Sequence, residues 1–193
     1  MKQVKALQTL QASRKQVFSF ADLQKLLGVA DTNYMKVLAG RLVKEGVLER
    51  VMRGRYVLSS NKPSDFALAN ALYQPSYVSL DSALNYYGIL IQSPQQVMSV
   101  TTNATKRIKV KGKTCAYMHL DQKYFNDYQK VDGMLIALPE KALVDAIFFA
   151  ALGRSVLAME ELRLESIDRK KVKESAARIG NKAFQKYFAS ITL

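Results

Sequence analysis

Between Asp31 and Leu58 the spacing of apolar residues changes from a helical to a strand period, and Gly46 and Gly54 punctuate the change. Met35, Leu38 and Leu42 recur at i, i+3 and i+7, one buried stripe of a helix that Asp31 can N-cap. At ~100° per residue, Asn33, Lys36, Val37, Gly40, Arg41 and Lys44 gather on the other side. Gly46 stops the helix. Two strand-like runs follow, Val47 to Val51 and Arg55 to Leu58, joined around Arg53-Gly54 with Arg50, Arg53 and Arg55 close together.

Upstream, Val4, Leu7 and Leu10 are spaced for the inner face of a first helix that fades at Ser13-Arg14-Lys15. Ser19 precedes Phe20-Ala21-Asp22, close to a capping box, and Leu23, Leu26 and Leu27 give a second helix its buried face. Gly28 suits a left-handed C-terminal stop. Three helices with a tight turn before the third, then an arginine-tipped hairpin, predict a winged helix-turn-helix. In such a module the third helix enters the major groove, where Asn pairs with adenine and Arg with guanine. Thr32, Asn33, Tyr34, Lys36, Val37, Arg41 and Lys44 on the helix, with Arg50, Arg53 and Arg55 on the hairpin, are the expected DNA-contacting residues. The alternative is that these charges only solvate a small helical domain.

Charge favours the first reading. The 193 residues carry 29 Lys plus Arg against 16 Asp plus Glu, a net charge of +13. Residues 1–62 hold 12 of the basic residues and only 4 acidic ones. That surplus points to a polyanion, nucleic acid first and an anionic membrane surface second. The polar run Ser59-Ser60-Asn61-Lys62-Pro63-Ser64 reads as a linker, so the expected domains are 1–60 and 61–193. The expected class is α+β: an N-terminal winged helix-turn-helix followed by a mixed α/β C-terminal domain with a helical tail.

In the second part, Asp65 to Leu72 is helical in pattern and Tyr77-Val78-Ser79 is extended. Ser79 can cap a helix in which Leu80, Ala83, Leu84 and Tyr87 share a face, ended by Gly88. Gln96 to Thr102, Arg107 to Val110, Thr114 to Leu120 and Met134 to Leu138 read as strands, with a turn at Lys111-Gly112-Lys113. Pro139 opens a helix with Leu143, Ile147, Ala150 and Ala151 on its buried face, and two or three helices follow Val156, with Gly180 as a break. Lys106, Arg107, Lys109, Lys111 and Lys113 form a second basic cluster. It is a candidate surface for nucleic acid or an acidic partner, or an edge strand guarded by lysine.

Two segments resemble motifs of the AbiEi family of antitoxins, transcriptional regulators paired with nucleotidyltransferase toxins. They run from Tyr77 to Ile89 (Tyr-Val-Ser-Leu-Asp-Ser-Ala-Leu-Asn-Tyr-Tyr-Gly-Ile) and from Ala137 to Asp145 (Ala-Leu-Pro-Glu-Lys-Ala-Leu-Val-Asp). Both follow the winged helix-turn-helix in the family's order. Tyr87 stands where many members have His. The resemblance implies a repressor of its own operon, acting on double-stranded DNA at an inverted-repeat operator. It also implies neutralisation of a cognate nucleotidyltransferase toxin by the C-terminal domain, without a stable complex.

Enzyme readings have little to rest on. The chain lacks Walker-type, Gly-x-Gly-x-x-Gly and Gly-x-Ser-x-Gly motifs, and its one Cys and one His, Cys115 and His119, lie ~13 Å apart on one strand. Asp132, Glu140 and Lys141 loosely match the carboxylate–carboxylate–lysine set of metal-dependent nucleases; otherwise Lys141 is solvated and Asp145 has no particular role. No catalytic residue, metal or cofactor is expected. A pure partner-binding module, or a stand-alone repressor with one, is the remaining alternative. The start lacks the apolar run of a signal peptide and no stretch is long enough to span a bilayer, which predicts a cytoplasmic protein without a membrane partner.

Overall fold

A computed structural model describes residues 3–191, which form two compact units divided between Leu72 and Tyr73. The first unit runs α1 (Gln3–Ala12), β1 (Val17–Ser19), α2 (Phe20–Leu27), α3 (Thr32–Lys44), β2 (Leu48–Met52), β3 (Arg55–Leu58) and α4 (Asp65–Leu72). Its three strands pair antiparallel in the order β1-β3-β2, and Phe18, Leu23, Met35, Leu38, Leu42 and Leu48 fill the core. This is a winged helix-turn-helix.

Two details differ from the sequence expectation. Val4 is 65% exposed, and α1 buries Ala6 and Leu10 instead. Val4 lies ~120° around the helix from Leu10, because a strict three-residue step drifts off a 3.6-residue turn. β1 is an added strand, three residues long and defined by its pairing with β3 (Val17 opposite Val57) rather than by any run of its own.

The second unit runs β4 (Ser76–Val78), α5 (Leu80–Tyr86), β5 (Gln96–Thr101), β6 (Lys106–Val110), β7 (Lys113–His119), β8 (Tyr128–Val131), β9 (Met134–Ala137), α6 (Pro139–Ala151), α7 (Arg169–Ala177) and α8 (Lys182–Ala189). Short 3-10 turns lie at Gln122–Tyr124 and Met159–Glu161. One six-stranded mixed sheet has the order β6-β7-β5-β4-β9-β8. β4 pairs parallel with β9 and β5 parallel with β7; the remaining pairs are antiparallel.

Two hairpins in this sheet close through two-residue loops, Lys111-Gly112 and Asp132-Gly133, with positive φ at all four residues. That is the turn whose twist matches the flanking strands. β8, like β1, has no counterpart among the strands expected from sequence, although Asp132-Gly133 before Met134 is a strong hairpin signal.

α6 also departs from expectation. Every residue from Lys141 to Phe149 is buried, while Ala150 and Ala151 are half-buried. The helix packs against β9 and α5 as well as against α7 and α8, so it has no solvent face along most of its length. Phe148 meets Phe184 of α8 with ring centroids 5.8 Å apart.

Candidate nucleic-acid interface

The helix-turn-helix is set by its caps. Ser19 Oγ accepts from the Asp22 amide at 3.0 Å while Asp22 Oδ2 accepts from the Ser19 amide at 2.7 Å, a complete capping box. Asp22 is also 2.6 Å from Lys15 Nζ. Burial works against the carboxylate, but hydrogen bonds from Lys15 and Ser19 outweigh it and hold its pKa below the usual value. Gly28 ends α2 at φ +65°, and Asp31 Oδ1 accepts from the Tyr34 amide at 2.6 Å to begin α3. The turn between the helices is therefore closed at both sides by its own residues.

α3 buries Met35, Leu38, Ala39 and Leu42 and turns two other stripes away from that buried face. Asn33, Val37, Arg41 and Lys44 form an outward stripe; Tyr34 flanks it, with Tyr34 and Val37 at 50% and 63% exposure. Thr32, Lys36, Gly40 and Val43 form the second, which walls a cleft of about 510 Å³ facing Arg50, Arg53 and Gly54 of the wing. The wing tip is anchored: the Phe20 amide donates to the Gly54 carbonyl at 3.1 Å. Arg53 is exposed, and Arg55 is half-buried beside it.

All ten expected DNA-contacting residues thus lie on α3 or the β2–β3 hairpin, in one unit. Lys36, Arg41, Lys44, Arg50, Arg53 and Arg55 make no ion pair among the described residues. Uncompensated cations on a narrow helix and a fixed hairpin are what phosphate and base-edge contacts require.

The second basic cluster is divided rather than continuous. Arg107 and Lys109 project from one face of β6, while Ile108 and Val110 are buried on the other. Lys106 Nζ lies 5.0 Å from the centre of the Tyr73 ring, Lys111 sits in the turn and Lys113 opens β7. β6 is an edge strand, so its lysines also guard that edge.

The remaining sequence candidates take structural places. Lys141 and Asp145 are an ion pair of 2.5 Å with side chains 3% and 1% exposed, which corrects the expectation that Lys141 is solvated and Asp145 idle. Asp145 Oδ2 also accepts from Tyr77 OH at 2.9 Å and from Ser79 Oγ at 2.8 Å. Ser79 stands at the N-cap position of α5 without capping it, because its hydroxyl is committed to Asp145. Burial, then the charge of Asp145, pushes the Tyr77 phenol well above its ordinary pKa. Asp132 sits exposed at the tip of the β8–β9 hairpin, a strand length of roughly 15 Å from the start of α6. Glu140 accepts from the Asp168 amide at 3.3 Å. No group of His, Cys, Asp and Glu able to hold a metal occurs among the described residues. No helix of the described residues is long and apolar enough to cross a membrane.

The fold resembles the crystal structure of the RV2827C protein from Mycobacterium tuberculosis, with a TM-score of 0.55 and 15% identity, over 96% of this chain and 70% of that one. At that identity the likeness is one of fold. No curated protein matches the chain. Residues 5–59 match the model of a family described as transcriptional regulator, AbiEi antitoxin. The matched span holds the capped helix-turn-helix and the whole wing, and over it the chain is similar to the AbiEi family of antitoxin transcriptional regulators.

Proposed function

We propose that this protein is a DNA-binding antitoxin of the cytoplasm. Residues 1–60 repress its own operon at an inverted-repeat operator, and residues 61–193 counteract a cognate nucleotidyltransferase toxin without a stable complex. The observation that carries the DNA-binding half is the unpaired cationic face of α3 and the wing, inside the span that matches the regulator family. In this reading Asn33, Arg41 and Lys44 meet the major groove and Val37 packs on a thymine methyl. Lys36, Arg50, Arg53 and Arg55 hold a phosphate strand along the cleft. The antitoxin half is supported by the family match and by the two later segments that resemble the family's motifs.

The test uses the full chain and its own upstream DNA. Operator affinity should fall by about 10³-fold or more between ~50 and ~200 mM salt, and Arg53→Ala/Arg55→Ala should flatten that slope. In cells carrying the adjacent toxin gene, the same variant should still restore growth. Absence of any operator shift at low salt would sink the repressor reading; failure of the folded wing variant to restore growth would sink the separation of the two roles.

A further inference from the structure

The second unit carries a concave site of about 790 Å³ that the antitoxin reading does not use. It lies on the face of β5, β7 and β6 that presents Met98, Ala116 and Arg107, where β6–β7 registers Arg107 opposite Ala116 and β5–β7 registers Ala116 opposite Met98. Its floor is apolar: Met98 and Ala116 are buried, with Met118 half-buried beside them. Its rim is cationic. Arg107 and Arg154 are exposed and make no ion pair among the described residues. Asp81, from the first turn of α5, is the single carboxylate in the wall, and burial raises its pKa. Ser155 adds a buried hydroxyl that has no hydrogen-bond partner among the described residues.

We propose that this cleft is a binding site for a nucleoside phosphate, with Arg107 and Arg154 holding the phosphate, the methionine–alanine floor taking the base, and Asp81 and Ser155 accepting from or donating to its polar edge. The size falls within the ~300–1,000 Å³ of small-molecule sites, and an apolar floor with few convergent polar groups is their usual chemistry. Guanidiniums pair bidentately with phosphate. A lone carboxylate in the wall disfavours a continuous run of phosphates and suits a ligand with one charged end and one hydrogen-bonding end. The site lies wholly within the second unit, so it stands independently of the DNA-binding reading.

Isothermal titration of the full chain with each of the four ribonucleoside 5′-monophosphates tests it, with inorganic phosphate and the free nucleosides as partial probes. At least one nucleotide should bind saturably and about tenfold or more tightly than either part alone. Arg107→Ala/Arg154→Ala, and separately Arg154→Glu, should weaken it about tenfold or more with an unchanged melting temperature, while Arg53→Ala/Arg55→Ala binds as the wild type does. A short single-stranded RNA that displaces the nucleotide assigns the natural ligand to a strand end; no displacement assigns it to the free nucleotide. The proposal is overturned by no saturable binding up to about 1 mM, by equal affinity in the arginine variants, or by phosphate binding as tightly as the nucleotides.

Discussion

Tyr77 on β4 and Asp145 on α6 stand 68 residues apart in the chain and share a hydrogen bond of 2.9 Å. Around it, Ser79 and Lys141 complete the coordination of the same carboxylate. The bond joins the two segments that resemble the AbiEi motifs. A further one, from Tyr87 OH to the Ala137 carbonyl at 2.9 Å, joins them again. Those segments therefore brace β4 and α5 against β9 and α6. Tyr77, Ser79, Lys141 and Asp145 satisfy one another.

Removing Asp145 should be far worse than removing either of its hydroxyl donors, Tyr77 or Ser79. Asp145→Ala leaves the Lys141 ammonium buried and unpaired, at a cost of about 3–5 kcal/mol. Tyr77→Phe removes one donor while Ser79 and Lys141 remain, a loss of about 1–3 kcal/mol. Urea unfolding of the full chain, followed by a probe in the second unit, should rank the variants in that order; equal losses would mean the carboxylate is not the centre of the network.

Alkali should destabilise the second unit. Burial raises the pKa of both Tyr77 and Tyr117, and Asp145 adds to the effect at Tyr77. An unfolded tyrosine ionises near ~10. The unfolded state thus sheds protons first, so the stabilisation is complete below that pH and declines as pH rises beyond it. Thermal melts between about pH 8 and 11 should show the decline, and Tyr77→Phe should make it shallower.

Sequence discrimination should reside on the outward stripe of α3. Asn33→Ala or Arg41→Ala should each relax the preference at one operator position by about 1–3 kcal/mol while leaving binding to random DNA nearly intact. Competition binding against single-base operator variants measures this. Equal loss on operator and random DNA would make the residue a phosphate contact.

Gly40 separates folding from binding. It lies inside α3 on the cleft wall, and a Cβ placed there meets nothing within 4 Å beyond its chain neighbours and the backbone of its own helix. Helical glycine costs about 0.5–1 kcal/mol relative to alanine. Gly40→Ala should therefore raise the stability of the first unit by about that amount. If a phosphate strand runs through the cleft, the same substitution should weaken operator binding; unchanged affinity in the stabilised variant would place the strand elsewhere.

The helix-turn-helix was legible residue by residue because its determinants are local. Ser19 with Asp22, Gly28, Asp31 with Tyr34, and the Met35, Leu38, Leu42 stripe all act within a few positions of one another, through caps and helical period. The Arg53-Gly54 wing followed from the same short-range chemistry. What the tertiary structure decided has long-range causes. β1 exists only because β3 supplies its hydrogen bonds, and α6 loses its solvent face only because α7 and α8 cover it. The strand register sets Arg107 opposite Ala116 on the cleft face and turns its neighbour Ile108 to the buried face. The fate of Lys141 and Asp145 was the least legible. A lysine four residues before an aspartate reads as an ordinary surface pair, and only the arrival of Tyr77 and Ser79 from the far strand makes burying that charge affordable.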